Sequence, residues 1–222
     1  MCLLKGDSIM GIFKKLCMTS MLGVMLAVPT YATVVTGSQS DVNMELKYPL
    51  VYTNNMFAQK AINTDIANYV LYAKSVYYDQ HAYQVKQNYK VTYEDAQVVS
   101  ILLTTYHYHA GSAHGMYNTK GLVYNKITGQ RIPLYNYVKI ANPQQIERGI
   151  NSGILRFYSE GHKKADLLPN WNVEYVSDNY YLKGKGVIGL VYQPYELGPY
   201  SYGNTYVEFS RQAIEYFNRM NS

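Results

Sequence analysis

Apolar and polar residues alternate in two rhythms along this chain. Ala58, Ile62, Ile66, Tyr69, Val70 and Ala73 recur at intervals of three and four residues. That spacing is one stripe of an α-helix beginning near Met56, with Asn54 or Asn55 as its cap. The period then drops to two. Tyr83, Val85, Gln87, Tyr89, Val91 and Tyr93 share one face, against Lys86, Asn88, Lys90 and Thr92 on the other, as in a strand with unlike sides. After Glu94-Asp95 a more apolar strand runs from Gln97 to His109. One of its faces carries Val99, Ile101, Leu103, Thr105, His107 and His109, the other Ser100, Leu102, Thr104, Tyr106 and Tyr108. Residues 110–115, Ala-Gly-Ser-Ala-His-Gly, turn the chain, and Met116 to Ile127 returns as a strand. Thr128-Gly129 turns it again into Arg131 to Leu134, which predicts an antiparallel meander.

The flanking segments are shorter. Thr33 to Ser40 reads as a polar lead, and Val42 to Tyr48 as a strand ending at Pro49. Asn142-Pro143 with Gln145 opens a second helix, whose stripe Ile146, Ile150, Ile154 and Phe157 carries it to Gly161. Trp171 to Tyr175, Tyr180 to Leu182 and Val187 to Tyr192 follow. Residues 193–204 form a Gly/Pro/Tyr loop, Thr205 to Phe209 a last strand, and Ser210 caps a helix reaching Met220. Runs of strands with separate helices indicate the α+β class.

The first 32 residues belong to a different kind of segment. Lys14-Lys15, the apolar run Leu16 to Val28 and Pro29-Thr30-Tyr31-Ala32 have the order of a signal peptide cut after Ala32. The apolar run is too short for a comfortable membrane span. The expectation is an exported protein, periplasmic or extracellular, with no membrane span after cleavage. Both cysteines, Cys2 and Cys17, fall in the removed segment, which excludes a disulfide framework.

Composition refines this picture. The mature domain, residues 33–222, is one domain or two small ones sharing a core, divided as 33–100 and 101–222. The chain is 48% hydrophobic and 16% charged, enough to build a core without disulfide staples. Cleavage removes Lys5, Lys14, Lys15 and Asp7, leaving 17 basic and 14 acidic residues, a net charge of +3. No clustered basic stripe exists, so nucleic acid is not an expected partner. The 26 tyrosines suit half-buried strands and wet binding faces alike.

Candidate chemistry is sparse. His107, His109 and His114 suggest a zinc site, but no cysteine remains and no acidic residue lies near them to complete the ligand set. Ser112 in Ala-Gly-Ser-Ala-His-Gly only superficially matches a nucleophile elbow, which needs a strand-to-helix turn rather than a hairpin. Glu94, Asp95 and Glu160 form no acid/base pair, and Gly184-x-Gly186 lacks the rest of a phosphate loop. No catalytic residue, metal or cofactor is therefore expected. The alternative is a hydrolase of cell-wall polymer, metal-assisted through His107, His109 and His114. The loop Pro194-Tyr195-Glu196-Leu197-Gly198-Pro199-Tyr200-Ser201-Tyr202 is a stiff aromatic surface of the kind that docks ligands. Candidate binding residues are Tyr108, Ser112, His114, Tyr195, Pro199, Tyr200 and Tyr202.

Three segments, in order, carry a family resemblance. They are Leu46-Lys47-Tyr48-Pro49 with Ile62-Asn63; Tyr106 to Gly115 with Thr128 to Leu134; and Leu168-Pro169-Asn170-Trp171 running into Tyr192 to Gly203. Together they resemble the extracytoplasmic domain of the RsiV-type lysozyme-sensing anti-sigma factors, also found as a non-catalytic module beside peptidoglycan deacetylases. Gly111-Ser112-Ala113-His114 departs by one small residue from the family's usual Gly-Gly-Ala-His. The resemblance covers about residues 40–218. It implies an α+β fold of antiparallel β-sheets packed with two or three helices, and a non-enzymatic module binding a lysozyme-like protein or peptidoglycan fragments. The anti-sigma and deacetylase activities do not carry over, since their segments are not in this sequence.

Overall fold

The computed structural model describes residues 33–222. In it Asn55 caps helix α1 (Met56–Tyr78), its side chain accepting the amide hydrogens of Phe57 and Ala58. The stripe Ala58, Ile62, Ile66, Val70 and Ala73, extended by Val76, is buried. It faces a five-stranded sheet ordered β1 (Val34–Asp41), β2 (Met44–Val51), β3 (Gln84–Glu94), β4 (Val98–Tyr108) and β5 (Met116–Asn125). All neighbours are antiparallel except β2 and β3, which α1 connects as a parallel pair over Met44–Leu46 and Val85–Gln87. Val99, Ile101 and Leu103 of β4 and Leu122 and Tyr124 of β5 meet Ile62 and Ile66 beneath the helix.

A second sheet is ordered β7 (Lys163–Lys164), β6 (Arg156–Ser159), β10 (Thr205–Phe209), β9 (Val187–Tyr192) and β8 (Tyr180–Gly184). One face, with Phe157, Leu190, Val207 and Phe209, packs on α2 (Pro143–Asn151) through Ile146 and on α3 (Arg211–Met220) through Phe217. Phe209 and Phe217 meet edge to face with centroids 5.1 Å apart. The sheets join where β8 crosses β3, β4 and β5. The edge of β8 not paired with β9 lies on the first sheet, where the Leu182 N–H donates to Ser100 Oγ at 2.9 Å. The Tyr180 backbone presses on Gly121, where any Cβ would overlap it.

The described residues form one compact unit, and position 100 lies inside β4. The architecture is α+β, as expected. The signal-peptide segment lies outside the described residues.

Several local readings are corrected. The polar lead is strand β1: Val-Val-Thr-Gly-Ser-Gln-Ser-Asp lacks an apolar alternation, but it pairs with β2 along its whole length. Strand β2 also runs through Pro49 to Val51. Its pairing with β3 ends at Leu46, so the missing Pro49 N–H removes no ladder bond. Farther along that side, Asn63 of α1 stands in for a strand, accepting from Val51 N and donating to Val51 O, both at 2.8 Å. The segment after Gly129 makes one bridge, Tyr124 to Arg131, before a 3-10 turn at Leu134–Asn136. The second helix ends at Asn151 rather than Gly161. Gly153 turns the chain at φ +73°, and Arg156–Ser159 pairs with β10 and β7 as β6. Residues 171–175 are not a strand.

Candidate functional site

The hairpin loop 110–115 and the loop 193–204 meet through residues 81 and 85 positions apart in sequence and lie side by side in the fold. The second loop is bolted to β5 at both ends. Gln193 Oε1 accepts from Thr119 N (2.7 Å) and its Nε2 donates to Thr119 O (2.8 Å), so one side chain imitates a strand. Asn204, at the other end, donates from Nδ2 to Thr119 Oγ1 (2.9 Å), which also bonds Thr104 Oγ1 (2.8 Å). Inside the loop Glu196 accepts from Gln193 N at 2.6 Å.

This anchoring brings rings together. His114 stacks on Tyr200 with centroids 3.7 Å apart and planes 22° from parallel. Its Nδ1 lies 3.0 Å from the Gly115 carbonyl, which also accepts from Tyr200 OH at 2.6 Å. A carbonyl only accepts, so Nδ1 carries a proton, while Nε2 bonds the Tyr195 hydroxyl at 3.1 Å. Tyr195 and Tyr200 are 5.6 Å apart, and Tyr106 and Tyr117 add a further pair at 5.0 Å. Gly115 is required here because a Cβ would overlap the Tyr106 ring. Burial and neighbouring tyrosines raise the Tyr200 hydroxyl pKa above its ordinary value, so it remains a donor at neutral pH.

Two backbone features frame this face. Tyr195 adopts φ +73°, an uncommon conformation for a bulky residue, and is 49% exposed. Gly203, at φ +60°, leaves the space that the Glu160 side chain fills. After burial, the Glu160 charge is the first cause raising the Tyr117 and Tyr206 hydroxyls, which puts a carboxylate beside the rings.

Of the residues singled out by sequence, His114, Tyr195 and Tyr200 form the cluster. Pro199 leads into the 3-10 turn Tyr200–Tyr202, and the Tyr202 ring packs where Gly198 lacks a side chain. Tyr108 lies elsewhere, edge-on to Tyr83 at 6.3 Å. Ser112 is exposed, with its amide donating to His109 O. The sequence reading missed Tyr106, Tyr117, Thr119, Glu160, Gln193 and Asn204. The three histidines do not form one ligand set. His114 is engaged by Gly115 and Tyr195, while His107 and His109 lie edge-on to each other at 5.7 Å. Among the described residues no three His, Cys, Asp or Glu side chains cluster as metal ligands would.

A separate open cleft of about 490 Å³ is lined by Val123, Ile132, Leu134, Val138, Val176 and Tyr180, with Arg131 and Asp178 contributing charge. It is mostly apolar, and Arg131 is already committed to Asp65 (2.6 Å) and Tyr69 OH (2.8 Å). The ring cluster has the denser arrangement of fixed groups, half-buried at His114 and Tyr200 and exposed at Tyr195. Among the described residues no helix is long and apolar enough to cross a membrane.

Comparison with known proteins bears on the fold. Residues 129–212 match the family described as "Protein of unknown function (DUF3298)", a span that includes the 193–204 loop but not the 110–115 loop. A DUF3298 family protein from Pseudomonas aeruginosa PAO1 is similar in structure, with a TM-score of 0.56 and 14% identity over 82% of this chain and 91% of that one. A DUF3298 member from Bacteroides fragilis gives 0.51 and 14%, over 84% and 94%. At that identity the likeness concerns the fold alone. No curated protein matches the chain. Residues 129–212 are thus similar to the DUF3298 family, and the fold is similar to that of these two proteins.

Proposed function

We propose that this protein is an exported, non-enzymatic binding module of the cell envelope, recognising a lysozyme-like protein or peptidoglycan fragments through the faces of its 110–115 and 193–204 loops. The observation that carries the reading is the meeting of the two loops in the His114–Tyr195–Tyr200 cluster. Stacked rings held by hydrogen bonds lose little side-chain entropy on docking, and tyrosine offers both an apolar plane and a polar tip. Planar rings suit the apolar faces of sugars as well as a protein surface. The resemblance of the motifs at residues 106–115 and 192–203 to the RsiV-type sensors selects the ligand class.

The test is a calorimetric titration of the purified protein with lysozyme and, separately, with soluble muropeptides. Binding to either is expected, with weakening in Tyr195→Ala and Tyr200→Ala. Absence of binding to both at high micromolar concentration overturns the ligand assignment.

A further inference from the structure

At the mouth of the hairpin, on the α1 side of the first sheet, two histidines remain outside the ring cluster. We propose that His107, His109 and Met116 form a binding site for a soft monovalent metal ion, Cu(I) or Ag(I). This inference is independent of the ligand reading above.

The placement follows from register. His107 pairs directly with Met116 across β4 and β5, and with Val85 on its other side. Directly opposed residues in an antiparallel pair have Cβ atoms about 4.5–5.5 Å apart, which sets the Met116 and His107 side chains beside each other on one face. His109 is two residues on, on the same face, and its ring meets that of His107 edge-on with centroids 5.7 Å apart. Two neighbouring imidazoles and one thioether side chain therefore share one face at the end of adjacent strands. Val85, fully buried, supplies an apolar floor.

The donor set selects the ion. Thioether and imidazole donors without a carboxylate or thiolate favour Cu(I) and Ag(I) and give little to Mg²⁺, Ca²⁺ or a structural zinc. The state of the donors fits as well. Among the described residues the ring nitrogens of His107 and His109 make no protein hydrogen bond, whereas His114 and His162 are both engaged. All three residues are half-buried rather than sealed, so an ion has an entry path. Binding needs no electron transfer: the ion enters as the monovalent species and leaves unchanged.

The experiment is an anaerobic titration of the purified protein with Cu(I) against a chromophoric competing chelator, repeated with Ag(I) while following methionine methyl resonances. One equivalent is expected to bind, with the Met116 methyl shifting. Met116→Leu and His107→Gln should each weaken binding by at least about tenfold, and Met220→Leu, exposed near the C-terminus, should not. His109→Gln, just beyond the end of β4, reports the same loss without disturbing the sheet. Absence of stoichiometric binding overturns the proposal. So does affinity unchanged by Met116→Leu, or affinity unchanged by both histidine variants.

Discussion

Gly121 lies directly beneath the backbone of Tyr180, closely enough that no side chain fits between β5 and β8. That contact, with the Leu182 N–H bonded to Ser100, is where the two sheets lock. Gly121→Ala forces backbone against backbone, which side-chain rotation cannot relieve. It should destabilise the fold by about 1–3 kcal/mol or more, read as a lower urea midpoint with an unchanged slope.

The second prediction concerns the loop anchor. Gln193→Ala removes both hydrogen bonds to Thr119 and leaves its amide and carbonyl without their partner. A cost of about 1–3 kcal/mol is expected. The sharper readout is hydrogen exchange: the Thr119 amide should lose protection together with amides of the 193–204 loop, while those under α1 keep theirs.

Ligand recognition is tested at Tyr195, half exposed and committed to His114 Nε2. Tyr195→Ala should weaken the proposed ligand by at least about tenfold with little change in unfolding midpoint. Tyr195→Phe separates ring from hydroxyl: near-complete retention assigns the energy to stacking, and a loss matching alanine assigns it to the hydrogen bond.

Acid should destabilise the protein through Glu208. Burial raises its pKa, but hydrogen bonds from Lys183 (2.7 Å), His162 (2.8 Å) and Tyr181 (3.0 Å) outweigh this and hold it below the ordinary 4.5. A carboxylate with a depressed folded pKa contributes stability that is fully present above the unfolded value and lost as pH falls through the folded one. Glu208→Gln should therefore be less stable than wild type at neutral pH, with the gap closing below pH 4.5. Urea midpoints of both proteins across that range are the measurement; a gap that stays constant refutes the assignment.

What the sequence disclosed depended on how local each signal is. The α1 stripe and its Asn55 cap were legible because both lie within one segment. β1 was not, since Val34–Asp41 becomes a strand by pairing with β2 and not through its own alternation. Ile150, Ile154 and Phe157 imitate a helical period past Asn151, and only the turn at Gly153 shows that Phe157 belongs to a sheet. His114 and the tyrosines of the second loop were visible from composition. Their meeting was not, because it rests on Gln193 and Asn204 reaching Thr119 from 74 and 85 residues away. Glu160 was visible only as a carboxylate without an acid/base partner: its place beside the rings is set by the side chain missing at Gly203.

The covering of strand margins has a consequence for how the molecule behaves when crowded. The outer margin of β5 is occupied by Gln193 at Thr119 and by backbone bonds from Val123 and Asn125 to residues 130–132. The margin of β8 rests on the other sheet, Asn63 closes the end of β2, and β7 is two residues long. Among the described residues β1 is the one long strand left unpaired on one side, and Thr36, Ser38, Gln39, Ser40 and Asp41 make it mostly polar. Strand-to-strand growth into fibrils needs long, apolar, open margins. This protein offers a neighbouring copy almost none, so when partly unfolded it should aggregate through β1 first.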